Sequence, residues 1–87
     1  GSATTPDVIL RHVEDFKKHM ISKLESLEQI DQDRVAVEAR ALAAGDISYP
    51  YRMLALNQGL MVMKAQLAWC DQTIESLQKQ ILETKNT

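Results

Sequence analysis

The chain has few aromatic side chains, 5% of its residues, and a single tryptophan. It has one cysteine, two prolines and three glycines among 87 residues. It also has no long apolar run. Each shortage excludes something. One thiol cannot make an internal disulfide, and no Cys/His cluster offers a structural zinc site. The lone Cys70 fits a reducing cytosol, so a cytoplasmic location is expected. No stretch approaches the ~20 apolar residues of a membrane span. No signal peptide is visible. Lys and Arg number 10 against 12 Asp and Glu, giving a net charge of -2. That balance gives no electrostatic footprint for nucleic acid, which needs clustered cations.

What is present is aliphatic. Apolar residues make up 45% and charged residues 25%, ordinary globular usage. Leu, Ile, Val, Ala and Met dominate, and such cores suit helix packing. A chain this short buries a modest core by itself. Without a disulfide or a metal, a partner subunit is the remaining way to add burial. Residues 1–4 read as a tag remnant and 5–87 as one helical domain.

One strong interruption divides the chain, at Ala44-Gly45-Asp46-Ile47-Ser48-Tyr49-Pro50-Tyr51. Gly45 suits the left-handed position after a helix, Ser48 suits an N-cap, and Pro50 suits a first turn. The turn is placed at about 45–49. Before it, Thr5 caps and Pro6 opens a first helix, with Asp7 at the positive end of the dipole. Ile9, Val13, Phe16, Met20, Leu24, Leu27 and Ile30 recur three and four apart, which is helical spacing. Asp7/Arg11 and Glu14/Lys18 stand at i, i+4 as outer-face pairs. The periodicity weakens at Asp31-Gln32-Asp33 and resumes at Val35, Val37, Ala41 and Leu42. This predicts one long helix, roughly 6–44, with a bend or short break near 31–33.

The second helix is predicted over about 50–84. Leu56, Leu60, Met63, Leu67, Cys70, Ile74, Leu77 and Ile81 alternate four and three apart without a slip. That is an a/d seam of the coiled-coil type. Met53, Leu54, Met61, Val62, Ala65, Ala68 and Trp69 lie off the seam, more apolar surface than one stripe needs. The expected fold is all-α: a long antiparallel helical hairpin that pairs with a second copy in a dimeric helical bundle. The expected homodimer interface is the seam together with Gly59 and Trp69. Gly59 weakens a helix by about 1 kcal/mol relative to Ala, which makes sense where another backbone passes close.

Residues with chemical potential are few. His12, Asp15 and His19 share one helix face, but a metal site needs further ligands, and a solvated polar face accounts for them more simply. Cys70 on the apolar seam reads as a small buried hydrophobe. Trp69 reads as a core or interface anchor, with contact to an aromatic ligand as the second role. No phosphate loop and no nucleophile motif is found, so no catalytic residue, cofactor or metal is expected.

The stretch Tyr51-Arg52-Met53-Leu54-Ala55-Leu56-Asn57-Gln58-Gly59-Leu60, followed by Lys64-Ala65-Gln66-Leu67-Ala68-Trp69-Cys70-Asp71, resembles the C-terminal region of PadR-type regulators, including the AphA-like virulence activators. Leu54, Leu56, Gly59, Leu67, Trp69, Cys70 and Asp71 carry the resemblance, which covers roughly residues 51–77. It implies a parent with an N-terminal winged helix-turn-helix that binds DNA and a helical C-terminal domain that dimerises. No strand pair or basic recognition helix is found here, so this chain itself is not expected to bind DNA. The resemblance also implies a small aromatic effector as a candidate ligand. Two other readings compete. One is a coiled-coil adaptor or secretion chaperone. The other is a helical chorismate mutase, for which Arg11, Lys18, Arg34 and Arg40 are the available cations.

Overall fold

The computed structural model describes residues 5–86. The expected tag remnant lies outside the described residues. Three helices follow in order among those described: α1 (Pro6–Gln32), α2 (Arg34–Ala44) and α3 (Tyr49–Lys85). No strand occurs among them. The molecule is a rod of 67 × 23 × 15 Å with a radius of gyration of 19.5 Å, where a compact chain of this length has about 12 Å.

The start of α1 follows its sequence. Thr5 is extended, its hydroxyl accepts a hydrogen bond from the Val8 N–H at 3.4 Å, and Pro6 opens the helix. The helix expected over 6–44 breaks within the 31–33 stretch where its periodicity weakens, giving two helices, because Asp33 leaves helical geometry at φ -85°, ψ 6°. The reason is local. Asp31-Gln32-Asp33 offers no apolar side chain to pack, and acidic residues at a helix C-terminus oppose its dipole. Arg34 Nε lies 3.5 Å from Asp31 Oδ1 across the break. The expected pairs Asp7/Arg11 and Glu14/Lys18 do not form salt bridges. The ion pairs among the described residues are Lys17–Asp71, Arg34–Asp31 and Arg52–Asp46.

α2 ends as its sequence directs. Gly45 is left-handed at φ 68°, its N–H reaches Leu42 O, and the Asp46 N–H reaches Ala41 O at 2.9 Å. Only glycine adopts this conformation without strain.

The start of α3 differs from expectation in one detail. Ser48 holds the N-cap position, but its side chain does not cap. Its hydroxyl donates to Asp46 Oδ1 at 2.7 Å and accepts from Arg52 Nη1 at 2.6 Å. Arg52 Nη2 also meets Asp46 Oδ2 at 2.7 Å. These donors, the Ser48 hydroxyl first, lower the Asp46 carboxyl to about 2. A depressed folded value means stability that is complete above the ordinary 3.8 and lost as pH falls toward 2. Asp46→Asn is therefore expected to flatten the acid limb of the thermal-stability profile between about pH 4 and 2, measured by circular dichroism. An unchanged acid limb would remove Asp46 as its source. Tyr49, buried at the head of α3, has a hydroxyl with no hydrogen-bond partner, and the Arg52 guanidinium lies 6.0 Å from its ring centroid.

α1 packs mainly on α3. Val13 of α1 clusters with Cys70 and Leu77 of α3, with Leu10 and Ile74 alongside. Lys17 Nζ meets Asp71 Oδ1 at 2.6 Å, and that hydrogen bond raises the Lys17 pKa. Leu27 lies against Gly59. Gly59 is not a close-approach glycine within the chain: a Cβ there would meet only Leu27 Cδ1, at 3.5 Å, an ordinary contact. Gly59→Ala is expected to stabilise the chain by about 1 kcal/mol through helix propensity, read from a chemical-denaturation midpoint. A loss of stability would show that something outside the chain packs against Gly59.

Candidate functional site

The seam of α3 is occupied within the chain. Leu56, Leu60, Cys70 and Leu77 are buried, and Met63, Leu67, Ile74, Ile81 and Gly59 are half-buried. Cys70 is the most enclosed side chain, fully out of solvent. This is the stripe that α1 covers, at Val13 and Leu27 among other points. Trp69 stands apart from these residues, 53% exposed.

The opposite face of α3 is uncovered. Leu54, Met61, Val62 and Trp69 are exposed large apolar residues, and Ala55, Ala65 and Ala68 among them are exposed as well. Helical geometry puts them on one side: 54, 61 and 68 are seven apart, and so are 55, 62 and 69. Tyr51 continues the stripe toward the turn. Met53, expected off the seam, is half-buried: three residues before Leu56, it extends the three-and-four spacing of the seam and does not belong to this face. α3 is therefore apolar on two opposite sides, of which α1 covers one.

Beside the stripe runs an open groove of about 430 Å³, lined by Ile9, His12, Val13, Phe16 and Trp69. Spacing on α1 explains its wall: 9, 12, 13 and 16 lie on one helical face. Phe16 and Ile9 are expected core residues that the structure leaves partly in solvent. The groove has both His12 and Trp69 in its lining, a combination that no periodicity within either helix announces. A register between α1 and α3, marked by the Lys17–Asp71 pair, is needed to see it.

The turn end carries further exposed apolar side chains. Val35 is 81%, Leu42 74% and Ile47 87% exposed. Most of α2 therefore lies in solvent, with Ala41 as its buried contact.

No group of three or more His, Cys, Asp or Glu able to hold a metal occurs among the described residues. Arg34 and Arg40 engage local partners, Asp31 and the Ala36 carbonyl. No helix is long and apolar enough to cross a membrane among the described residues.

Comparison with known proteins gives one relationship. No curated protein matches the chain, and no solved structure does. A family model does, the one described as virulence activator alpha C-term, over residues 1–78. That span takes in α1, α2 and most of α3, including the seam as far as Leu77, the groove and the uncovered stripe. The chain belongs to the virulence activator alpha C-terminal family.

Proposed function

We propose that this chain is the dimerisation domain of a PadR-type, AphA-like transcriptional regulator, acting by association and not by catalysis. In this proposal α1 and α3 form an antiparallel hairpin. Two hairpins join as a homodimer in a helical bundle and hold two winged helix-turn-helix halves of the parent at a fixed spacing. Half-sites on DNA lie one helical turn or a multiple apart, so a stiff spacer has a direct use there. The parent, working on DNA in the cytoplasm, supplies the nucleic-acid contact. This chain, with a net charge of -2, supplies the coupling between halves.

The observation that carries the proposal is the second apolar stripe of α3, exposed on the face away from α1. Surface area supports it. The chain exposes 6771 Å², whereas a compact monomer of its mass exposes roughly 5,200 Å². The difference, about 1,600 Å², reflects a rod of 67 × 23 × 15 Å that leaves a long helix face in solvent. The elongated shape contributes to that excess, and it is the shape that makes a long association face available. The seam residues, already covered by α1, would form the inner layer of the bundle, while Trp69 and the outer stripe meet the second copy.

A second role has its own observation. The groove at Trp69 is open, apolar and aromatic-walled, which suits a small aromatic effector. Quenching of the single tryptophan by a panel of such compounds would test it.

A transplant tests the main proposal. Fused behind a monomeric winged-helix domain that needs dimerisation to occupy a palindromic operator, the chain is expected to restore occupancy. Occupancy no better than the unfused domain would contradict a dimerising role and favour an adaptor that binds a different protein.

A further inference from the structure

α2 differs from its neighbours in how little holds it. Of its 11 residues, Ala41 is buried, Val37 is half-buried, and the rest are exposed. α1 and α3 instead share the Val13, Cys70 and Leu77 cluster, the Lys17–Asp71 pair and the contact of Leu27 with Gly59.

The ends of α2 are weakly tied as well. Asp33 stands at its N-cap, but the carboxylate makes no cap hydrogen bond. The first-turn N–H groups therefore lack the partner that such a residue usually supplies. Arg34 Nε lies 3.5 Å from Asp31 Oδ1 across the joint, with both side chains in solvent, and a pair of that kind adds little. No basic residue stands in the last turn to complement the dipole. What secures the far end is backbone bonding, from the Gly45 and Asp46 N–H groups to Leu42 O and Ala41 O. A helix this short is marginal in water by itself. Beyond the turn the chain is firm again, because Asp46, Ser48 and Arg52 are bonded to one another at the head of α3.

We propose that α2 is a release joint: it undocks and unfolds as a unit between Asp33 and Gly45 while α1 stays packed on α3. Few buried contacts and a short helix are what give a segment a low opening free energy. In the open form the segment 33–45 is a tether. Register between the long helices is then kept by their own contacts, with Lys17–Asp71 among them. The turn end of the rod gains freedom that the groove end, around Val13 and Trp69, does not have. The inference is independent of whether two copies associate.

Limited trypsin digestion tests it with the whole chain. Arg34 and Arg40 lie inside α2, whereas Lys17, Lys18, Lys23, Lys64 and Lys79 lie inside α1 and α3. A protease needs locally unfolded chain, so relative cutting rates follow the ease of opening. Cleavage after Arg34 and Arg40 is expected to be about tenfold or more faster than after those lysines. The nicked fragments are expected to keep the mass of the uncut protein until denaturant is added. Equal rates at all sites, or first cuts at the lysines, would overturn the inference. So would fragments that separate on nicking, since α2 would then be needed to hold α1 on α3. Hydrogen exchange reads the same opening without cutting. Amides of residues 37–44 are expected to exchange roughly a hundredfold or more faster than those of residues 63–77. Ala41→Asp, which puts a carboxylate at the one buried position of α2, is expected to raise the α2 rates further and leave those of 63–77 unchanged. An α2 as protected as α3 would mean that something covers it in solution, and would overturn the inference. A variant in which both regions speed up together would do the same, since α2 would then open only with the whole fold.

Discussion

Val62→Asp is expected to leave the chain helical and make it monomeric, weakening self-association by a hundredfold or more. Val62 sits on the outer stripe and is 47% exposed within one chain. A carboxylate there costs the single chain little, since water still reaches it. In the dimer it would be buried without a partner, and an unpaired buried charge is among the most damaging interface changes. A hundredfold change corresponds to about 2.7 kcal/mol, the scale of a hot-spot residue. Sedimentation across a concentration series reads the association, and far-ultraviolet circular dichroism reads the helices. An intact dimer would remove Val62 and the stripe around it from the interface. Loss of helix at high dilution in both proteins would show instead that folding and association are one event.

Leu77→Ala is expected to act on folding, lowering stability by about 2–5 kcal/mol. Leu77 is buried against Val13 and Cys70, with Leu10 and Ile74 beside it. Removing it opens a void where α1 and α3 meet, and the buried set is too short to absorb the loss. Domains in general have only about 5–15 kcal/mol to lose, and one with this small a core lies toward the lower end. Chemical denaturation at one fixed protein concentration gives the measurement, because any dimer adds concentration-dependent stability. A change below about 1 kcal/mol would mean that the Val13–Cys70–Leu77 cluster is not a main support of the fold. The two substitutions lie on the same helix, fifteen residues apart, and are expected to separate association from folding.

Local signals in the sequence were sufficient for the helix ends. Thr5-Pro6 opens α1 and Gly45 closes α2, because capping and left-handed geometry depend on residues within a few positions. The weak run at 31–33 signals a bend or a short break, and the chain breaks there at Asp33; the sequence alone does not choose between the two, since that depends on packing across the neighbouring turn. The eight-residue seam was legible as apolar periodicity. Its destination was not. A repeat of 3.5 residues is satisfied equally by a helix of the same chain and by one from another copy, and only the register of α1 on α3 assigns the inner stripe to α1 and leaves Leu54, Met61, Val62 and Trp69 uncovered. The groove needed the same register. Ile9, His12, Val13 and Phe16 on one helix and Trp69 on another are far apart in sequence, and neither helix announces the other.

One measurement bears most directly on the dimerisation domain proposed here: solution mass by light scattering through a dilution series. A stable species at about twice the 9.8 kDa chain mass, falling toward one chain only for Val62→Asp, is the expected result. A well-folded monomer at every concentration would contradict it.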